Sequence, residues 1–98
     1  MKKVGADWPM VRYLADDPVF AARYRALLKS FTADVFTEAR MNALFDASTA
    51  LVAPWAIGPA GEQPGYTHLA NASAYTAALP SLKAHVRARR AVIAAFAP

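Results

Sequence analysis

An all-α fold is predicted from helix start signals, from apolar residues at helical spacing, and because no segment has the pattern of a strand. The clearest helix covers residues 18–30. Asp17 is a residue type that caps helices, and Pro18 fits the first helical position because its missing N–H has no partner there anyway. Large apolar residues then recur every three or four positions: Phe20, Tyr24, Leu27, Leu28 and Phe31.

About four helices are expected along the chain. They cover residues 8–15, 18–30, 38–55 and 72–96. Each begins at a side chain that can accept hydrogen bonds from free helix N–H groups. These caps are Asp7, Asp17, Thr37, and either Asn71 or Ser73. Closely spaced glycines and prolines predict an irregular surface loop at 58–70.

Two prolines fall inside the predicted helices. Pro54 should break or kink the third helix near its end, because it removes a backbone donor and crowds the preceding turn. Pro80 predicts either a kink or a new start in the last helix. The apolar register continues across Pro80, which favours a kink.

The length of 98 residues allows one domain at most. Residues 1–98 are therefore expected to form a single small helical domain or a part of a larger one. The hydrophobic fraction of 56% is inflated by alanine, which adds little buried area per residue. The core must come from larger side chains. Those expected to be buried are Trp8, Phe20, Tyr24, Phe45, Trp55, Tyr75, Leu82 and Phe96.

Charge and cysteine content limit the possible functions. The net charge of +4 permits contact with anionic partners but is also common in ordinary domains. The absence of cysteine excludes disulfides, thiolate nucleophiles and cysteine-based metal sites. No apolar run is long enough to span a bilayer, and none follows Met1 to Lys3 as a signal peptide requires. The compartment is left open.

No catalytic, cofactor-binding or metal-binding residue is predicted. His68 and His85 lack a second histidine at helical spacing and a nearby carboxylate pair. Most carboxylates lie at helix starts, where capping explains them. No serine lies in a Gly-x-Ser-x-Gly motif, and the sequence at 58–61 lacks the Gly-Lys-Ser/Thr ending of a phosphate-binding loop.

One cluster of cations could contact an anion or a partner. Lys83, Arg87 and Arg90 align on one face of the last helix, four and three residues apart. This geometry could contact phosphates, but cations in the C-terminal half of a helix also stabilise it through its dipole. No aromatic residue is interleaved on that face, so the sequence disfavours nucleic-acid binding.

Four short patterns in order resemble the C-terminal end of the spore-coat protein H (CotH) kinase family. Residues 8–15 are similar to the family's Asn-Pro-Leu-Ile-x-x-Leu-Leu, and residues 17–24 to its Pro-x-(Phe/Tyr)-x-x-x-Tyr. Residues 51–54 are similar to its Leu-Ile-x-Pro turn. Residues 82–93 resemble its closing Leu-Lys-x-Phe-(Ile/Val)-x-x-Arg-x-x-x-(Val/Ile) pattern, with His85 where the family has phenylalanine.

The resemblance implies a part of an atypical kinase that uses ATP and a divalent metal, and it suggests a spore-coat or cell-surface location. The family's phosphate-binding lysine and catalytic acids lie upstream of this helical part, and nothing here matches them. We therefore expect a non-catalytic helical segment that supports a kinase lobe, with the rest of that lobe or another protein as partner. The alternatives are a stand-alone helical protein-interaction module and a weak basic nucleic-acid binder.

Overall fold

A computed structural model describes residues 5, 7–59, 61–62, 65 and 67–97. The described part is all-α and contains four helices and no strand. They are α1 (Pro9–Asp16), α2 (Pro18–Asp34), α3 (Glu38–Ala56) and α4 (Ala72–Phe96). The predicted fold class and the number of helices are confirmed, and the described parts of the connection between α3 and α4 are irregular, as expected.

Three of the four helices begin at the predicted caps. Asp17 accepts from the backbone N–H groups of Val19 and Phe20, at 2.9 and 3.1 Å. Thr37 accepts from Arg40 at 3.2 Å. Asn71, rather than Ser73, caps α4 and accepts from Ala74 at 2.8 Å. Side-chain oxygens thus satisfy the free donors at these helix starts.

The prediction that Asp7 caps α1 is wrong. The N-cap position is Trp8, which makes no side-chain capping bond, and Asp7 lies one residue too early. Pro9 at the first helical position already removes one donor, so fewer N–H groups need a partner at this end.

Helix α2 is longer than predicted, because it continues to Asp34 instead of ending near residue 30. Thr32 is tolerated inside it because its hydroxyl donates back to the carbonyl of Leu28 at 2.9 Å. The link to α3 is therefore only Val35 to Thr37. Next to this link, the rings of Phe31 and Phe36 are stacked, with centroids 5.7 Å apart.

Both helices continue beyond their internal prolines. Helix α4 is continuous from Ala72 to Phe96 with Pro80 inside it, so Pro80 does not start a new helix. Helix α3 continues two residues beyond Pro54 and ends at Ala56. Each proline costs its helix one backbone donor, and each helix continues beyond it nevertheless.

Helix α4 joins the other elements. It packs against both α3 and α2, and α1 packs against α2 alone. The Tyr75 hydroxyl donates to the Thr49 carbonyl at 2.6 Å and fastens α4 to α3. The molecule measures 56 × 32 × 16 Å. Among the described helices, α3 contacts neither α2 nor α1, and α1 does not contact α4. The helices are therefore joined side by side in the order α3, α4, α2, α1, and they form an open layer.

Because the helices form an open layer, most of the residues predicted for the core are not buried, and the prediction is largely wrong. Within the described residues, the buried hydrophobic ones are only Ala56, Val86 and Ala97. Three of the eight expected core residues are half-buried: Phe45, Tyr75 and Phe96. The other five are exposed: Trp8, Phe20, Tyr24, Trp55 and Leu82. A single layer gives each helix neighbours at its edges but none above or below, so apolar faces stay open.

Candidate interaction surface

The three predicted anion contacts differ in their surroundings. Lys83 donates to the Asp46 carboxylate of α3 at 2.6 Å. Arg90 lies half-buried between α4 and α2. Arg87 is exposed, with no partner among the described residues. Two of the three cations therefore connect helices within the molecule, and a contact between this group and an external anion stays a prediction.

Arg90 holds the end of α2 against α4. Its Nη1 donates to the carbonyl of Thr32 at 2.6 Å and to the carbonyl of Phe36. The last carbonyls of a helix lack intrahelical partners and carry partial negative charge, so a cation there satisfies and stabilises them. The helical spacing places Arg90 on a cationic face but does not predict this role, because the contacts join residues 54 and 58 positions apart.

No catalytic arrangement is visible among the described residues. His68 and His85 are both exposed. No group of three histidine, aspartate or glutamate side chains in the described part of the chain could hold a metal ion. Two of the serine hydroxyls are bonded locally, Ser73 to Asn71 and Ser81 to the carbonyl of Ala77. The functional candidates are therefore surfaces.

One candidate surface is an apolar groove between α1, α2 and the end of α4, called here the α2 groove. Its volume is about 330 Å³. The apolar walls are formed mainly by Val11, Leu14, Phe20, Tyr24, Leu27 and Phe96. Leu27 is 61% exposed and Phe20 50%, so these side chains contact solvent. Such a lining is typical of a site that another apolar group covers.

Two arginines also line the α2 groove. The guanidinium carbon of Arg25 lies 5.6 Å from the ring centroid of Phe96, a cation–π distance. The Phe96 ring in turn meets Tyr24 edge-on, at 6.1 Å. Arg23 is exposed and has no partner within the described residues. The groove is therefore apolar on its walls and positively charged beside them.

A second apolar surface lies on α3 and is called here the α3 stripe. Leu44, Leu51 and Trp55 are 55%, 75% and 70% exposed. Their spacing of seven and four residues places them on one side of the helix. Phe45 and Thr49, which are less exposed, lie on a different side, and the carbonyl of Thr49 receives the bond from Tyr75 of α4. Helix α3 thus uses one apolar side within the molecule and leaves another uncovered.

Four residues of the two surfaces were predicted from the sequence to lie in the core: Phe20, Tyr24, Phe96 and Trp55. Phe20, Tyr24 and Trp55 were recognised through their helical spacing, which identifies an apolar face without naming its partner. One feature of the sequence does point to exposed apolar surfaces: it has more large apolar side chains than three short helix–helix interfaces can cover. The number of interfaces, however, is known only once the arrangement of the helices is known.

Comparison with known proteins identifies the family. The family model described as CotH kinase protein matches residues 1–93 of the 98. The chain belongs to the CotH kinase family. No curated protein and no solved structure matches it.

The four patterns that resemble CotH kinases map onto all four helices. Residues 8–15 form most of α1 and 17–24 begin α2. Residues 51–54 lie in the last turns of α3, and 82–93 lie within α4. This last segment contains Val86, whose side chain is buried, and Arg90. Among the described helices of this CotH-family chain, none is long and apolar enough to cross a membrane.

Proposed function

We propose that this chain is a C-terminal helical layer of a CotH-type kinase lobe, which it supports without transferring phosphate itself. The observation that carries the proposal is the single layer of helices with three buried apolar residues among those described. A layer of this kind gains stability when a second layer covers its open faces, because burial of apolar surface is the main stabilising contribution to folding. Because the chain belongs to the CotH kinase family, we propose that the rest of a kinase lobe supplies this second layer.

The dimensions of the chain support the same proposal. Its radius of gyration is 18.8 Å. A compact domain of 100 residues has a radius of about 13 Å. The accessible surface is 7683 Å², whereas a compact monomer of this mass has about 5,400 Å². The difference amounts to the surface that a substantial interface would cover.

The proposed lack of activity rests on the sequence. CotH kinases use ATP with a divalent metal, and the resemblance places their phosphate-binding lysine and catalytic acids upstream of the helices seen here. We expect the purified chain to transfer no labelled phosphate from ATP in the presence of Mg²⁺ or Mn²⁺. Metal-dependent labelling of a substrate by this chain alone would contradict this part of the proposal.

A stand-alone protein-interaction module is the second candidate, favoured by the same exposed surfaces. The α2 groove and the α3 stripe could bind a separate protein instead of the rest of a lobe. Nucleic-acid binding has less support, because Lys83 is paired with Asp46 and Arg90 with backbone carbonyls. Affinity for DNA or RNA that falls steeply with added salt would support nucleic-acid binding, and its absence would exclude it.

Thermal unfolding separates the two leading candidates. The chain would be heated while circular dichroism reports helix content and a parallel sample reports binding of a hydrophobic dye. A lobe segment should unfold over a broad range and bind the dye strongly at low temperature, since its helices lack a finished core. A sharp transition with little dye binding would indicate a self-contained module and overturn the lobe proposal.

A further inference from the structure

We propose that the α2 groove is the docking site for an amphipathic helix that carries acidic residues beside its apolar face. This inference rests on the proposed function, because it specifies which face of the layer is covered and by what chemistry.

The apolar residues of α2 have the spacing of a helix–helix seam. Phe20, Tyr24, Leu27 and Phe31 are separated by four, three and four residues, which is the alternation of the two core positions in a coiled-coil heptad. All four are exposed, from 43% at Tyr24 to 61% at Leu27. Helix α4 touches the seam at Tyr24 through the ring of Phe96, and it also bonds to α2 outside the seam, at Thr32. These contacts leave all four seam residues largely accessible. The seam therefore lacks its second helix.

The length of the seam favours a helix over a small ligand. Phe20 and Phe31 are eleven positions apart, so the seam is about 16 Å long at 1.5 Å per residue. The groove covers only the part near Phe20, Tyr24 and Leu27, and the seam continues beyond it to Phe31. A compact ligand of groove size would leave that end exposed. A helix of about three turns would cover the whole seam.

The charges around the groove select an acidic partner. Arg23 directly precedes the seam residue Tyr24, the position from which coiled-coil helices form salt bridges to a facing helix. The nearby carboxylates do not neutralise it, because Asp16 is paired with Arg12 and Asp17 caps α2. The net charge of +4 also disfavours a second copy of the chain as the partner. A helix with carboxylates facing Arg23 fits the site.

Two synthetic peptides test the proposal. Both would have about 21 residues with leucine and isoleucine at the heptad core positions, one with glutamate and the other with lysine at the flanking positions. Binding to the full chain would be measured by fluorescence anisotropy. We expect the glutamate peptide to bind and the lysine peptide to bind at least tenfold more weakly, because like charges face each other in the second complex. Equal binding of the two peptides, or none, would overturn the proposal.

Two pairs of variants locate the site. R23E should weaken the glutamate peptide about tenfold, and L27D should abolish its binding by placing a charge in the seam. The matched controls are R40E and L51D, which make the same changes at exposed positions of α3 outside the groove. Circular dichroism would verify that all four variants keep their helix content. Equal losses in a variant and its control would contradict binding in the groove.

Further measurements distinguish the other occupants and separate this inference from the lobe proposal. If dodecanoate binds and the glutamate peptide does not, the groove is a ligand site and the docking inference fails. If light scattering finds a dimer that L27D dissociates, the occupant is a second copy and the inference also fails.

Failure of peptide binding with a broad, dye-binding thermal transition would overturn the docking inference alone. A sharp transition without dye binding would overturn the lobe proposal on which it rests.

Discussion

At the residue scale, Arg90 is the clearest example of a side chain whose role depends on distant parts of the chain. The sequence placed it with Lys83 and Arg87 on one cationic face of a helix. In the structure Arg90 is half-buried, and its guanidinium donates to one carbonyl in the last turn of α2 and to one in the link that follows it. Hydrogen bonds from a charged donor are stronger than neutral ones, so Arg90 should contribute to stability more than its neighbours do.

We therefore expect Arg90→Ala to lower the free energy of unfolding by about 2 kcal/mol, because two carbonyls lose a charged donor. Urea denaturation followed by circular dichroism would measure the change. The control is Arg89→Ala, which removes the same side chain at the adjacent exposed position and should have little effect. Similar losses in the two variants would show that Arg90 acts only through general helix charge.

Gly58 is required where the chain leaves α3. A Cβ atom at this position would lie 3.0 Å from the carbonyl carbon of Pro54 and still closer to its oxygen. Because those atoms belong to the backbone, a side chain cannot be accommodated without moving the end of the helix.

Gly58→Ala should destabilise the chain by about 1–3 kcal/mol, the usual cost of forcing an atom into occupied space. The melting temperature would report the loss. Gly5→Ala serves as the control, since no atom of the described residues lies closer than 4.0 Å to a Cβ atom built there. An unchanged melting temperature in Gly58→Ala would show that the end of α3 moves freely.

At the element scale, the helix starts agree with the sequence prediction, because their caps are neighbouring residues in the chain. The end of α2 does not, because a residue of another helix contacts it. The starts of α2, α3 and α4 lie where Asp17, Thr37 and Asn71 predicted them. The end of α2 lies at Asp34, four residues beyond the prediction. One of its last carbonyls, that of Thr32, accepts a hydrogen bond from Arg90 of α4, and no pattern within α2 contains that information.

Two neighbouring aspartates test whether capping is local: Asp17 is the cap of α2, and Asp16 is the last residue of α1. Asp17→Ala should cost about 1 kcal/mol, because two N–H groups at the start of α2 lose their acceptor. Asp17→Asn should retain most of the stability, since asparagine also caps helices. Urea denaturation would again measure the differences.

Asp16→Ala is the matched control for this pair. Asp16 forms an exposed ion pair with Arg12 four residues earlier in the chain, and such pairs contribute about 0.3–0.5 kcal/mol. A loss at Asp16 as large as that at Asp17 would contradict the assignment of the cap.

At the scale of the whole molecule, the helices form a layer with α4 shared between α2 and α3. Val86, 2% exposed, is the largest fully buried side chain among the described residues. Large apolar residues elsewhere, such as Leu51 and Trp55, lie open on the surface. Stability should therefore depend on a few residues of α4, and apolar character elsewhere should serve interaction with a partner.

Val86→Ala should lower the stability by about 2 kcal/mol, because two methyl groups leave a buried site and a cavity remains. Leu51→Ala should change it by less than about 0.5 kcal/mol, since Leu51 is 75% exposed. The same Leu51 variant should bind less hydrophobic dye. A large destabilisation by Leu51→Ala in urea would mean that the α3 stripe is covered within the molecule.

The sequence determined the elements of this protein. Caps, prolines and apolar spacing are local signals, so the all-α class, the number of helices and three of their four starts followed from residues only a few positions apart. The family followed as well, through patterns such as Leu51 to Pro54 that retain their order along the chain. The bond from Arg90 to Thr32 could not be predicted, because it joins residues 58 positions apart.

Only the tertiary structure decided which apolar faces are covered. Spacing shows that Phe20, Tyr24 and Leu27 share a side of α2, but it does not say whether a neighbour lies against that side. The arrangement of four helices in one layer leaves that side open and turns expected core residues into the walls of the α2 groove. Burial depends on how many elements surround a residue, and that number is a property of the assembled helices.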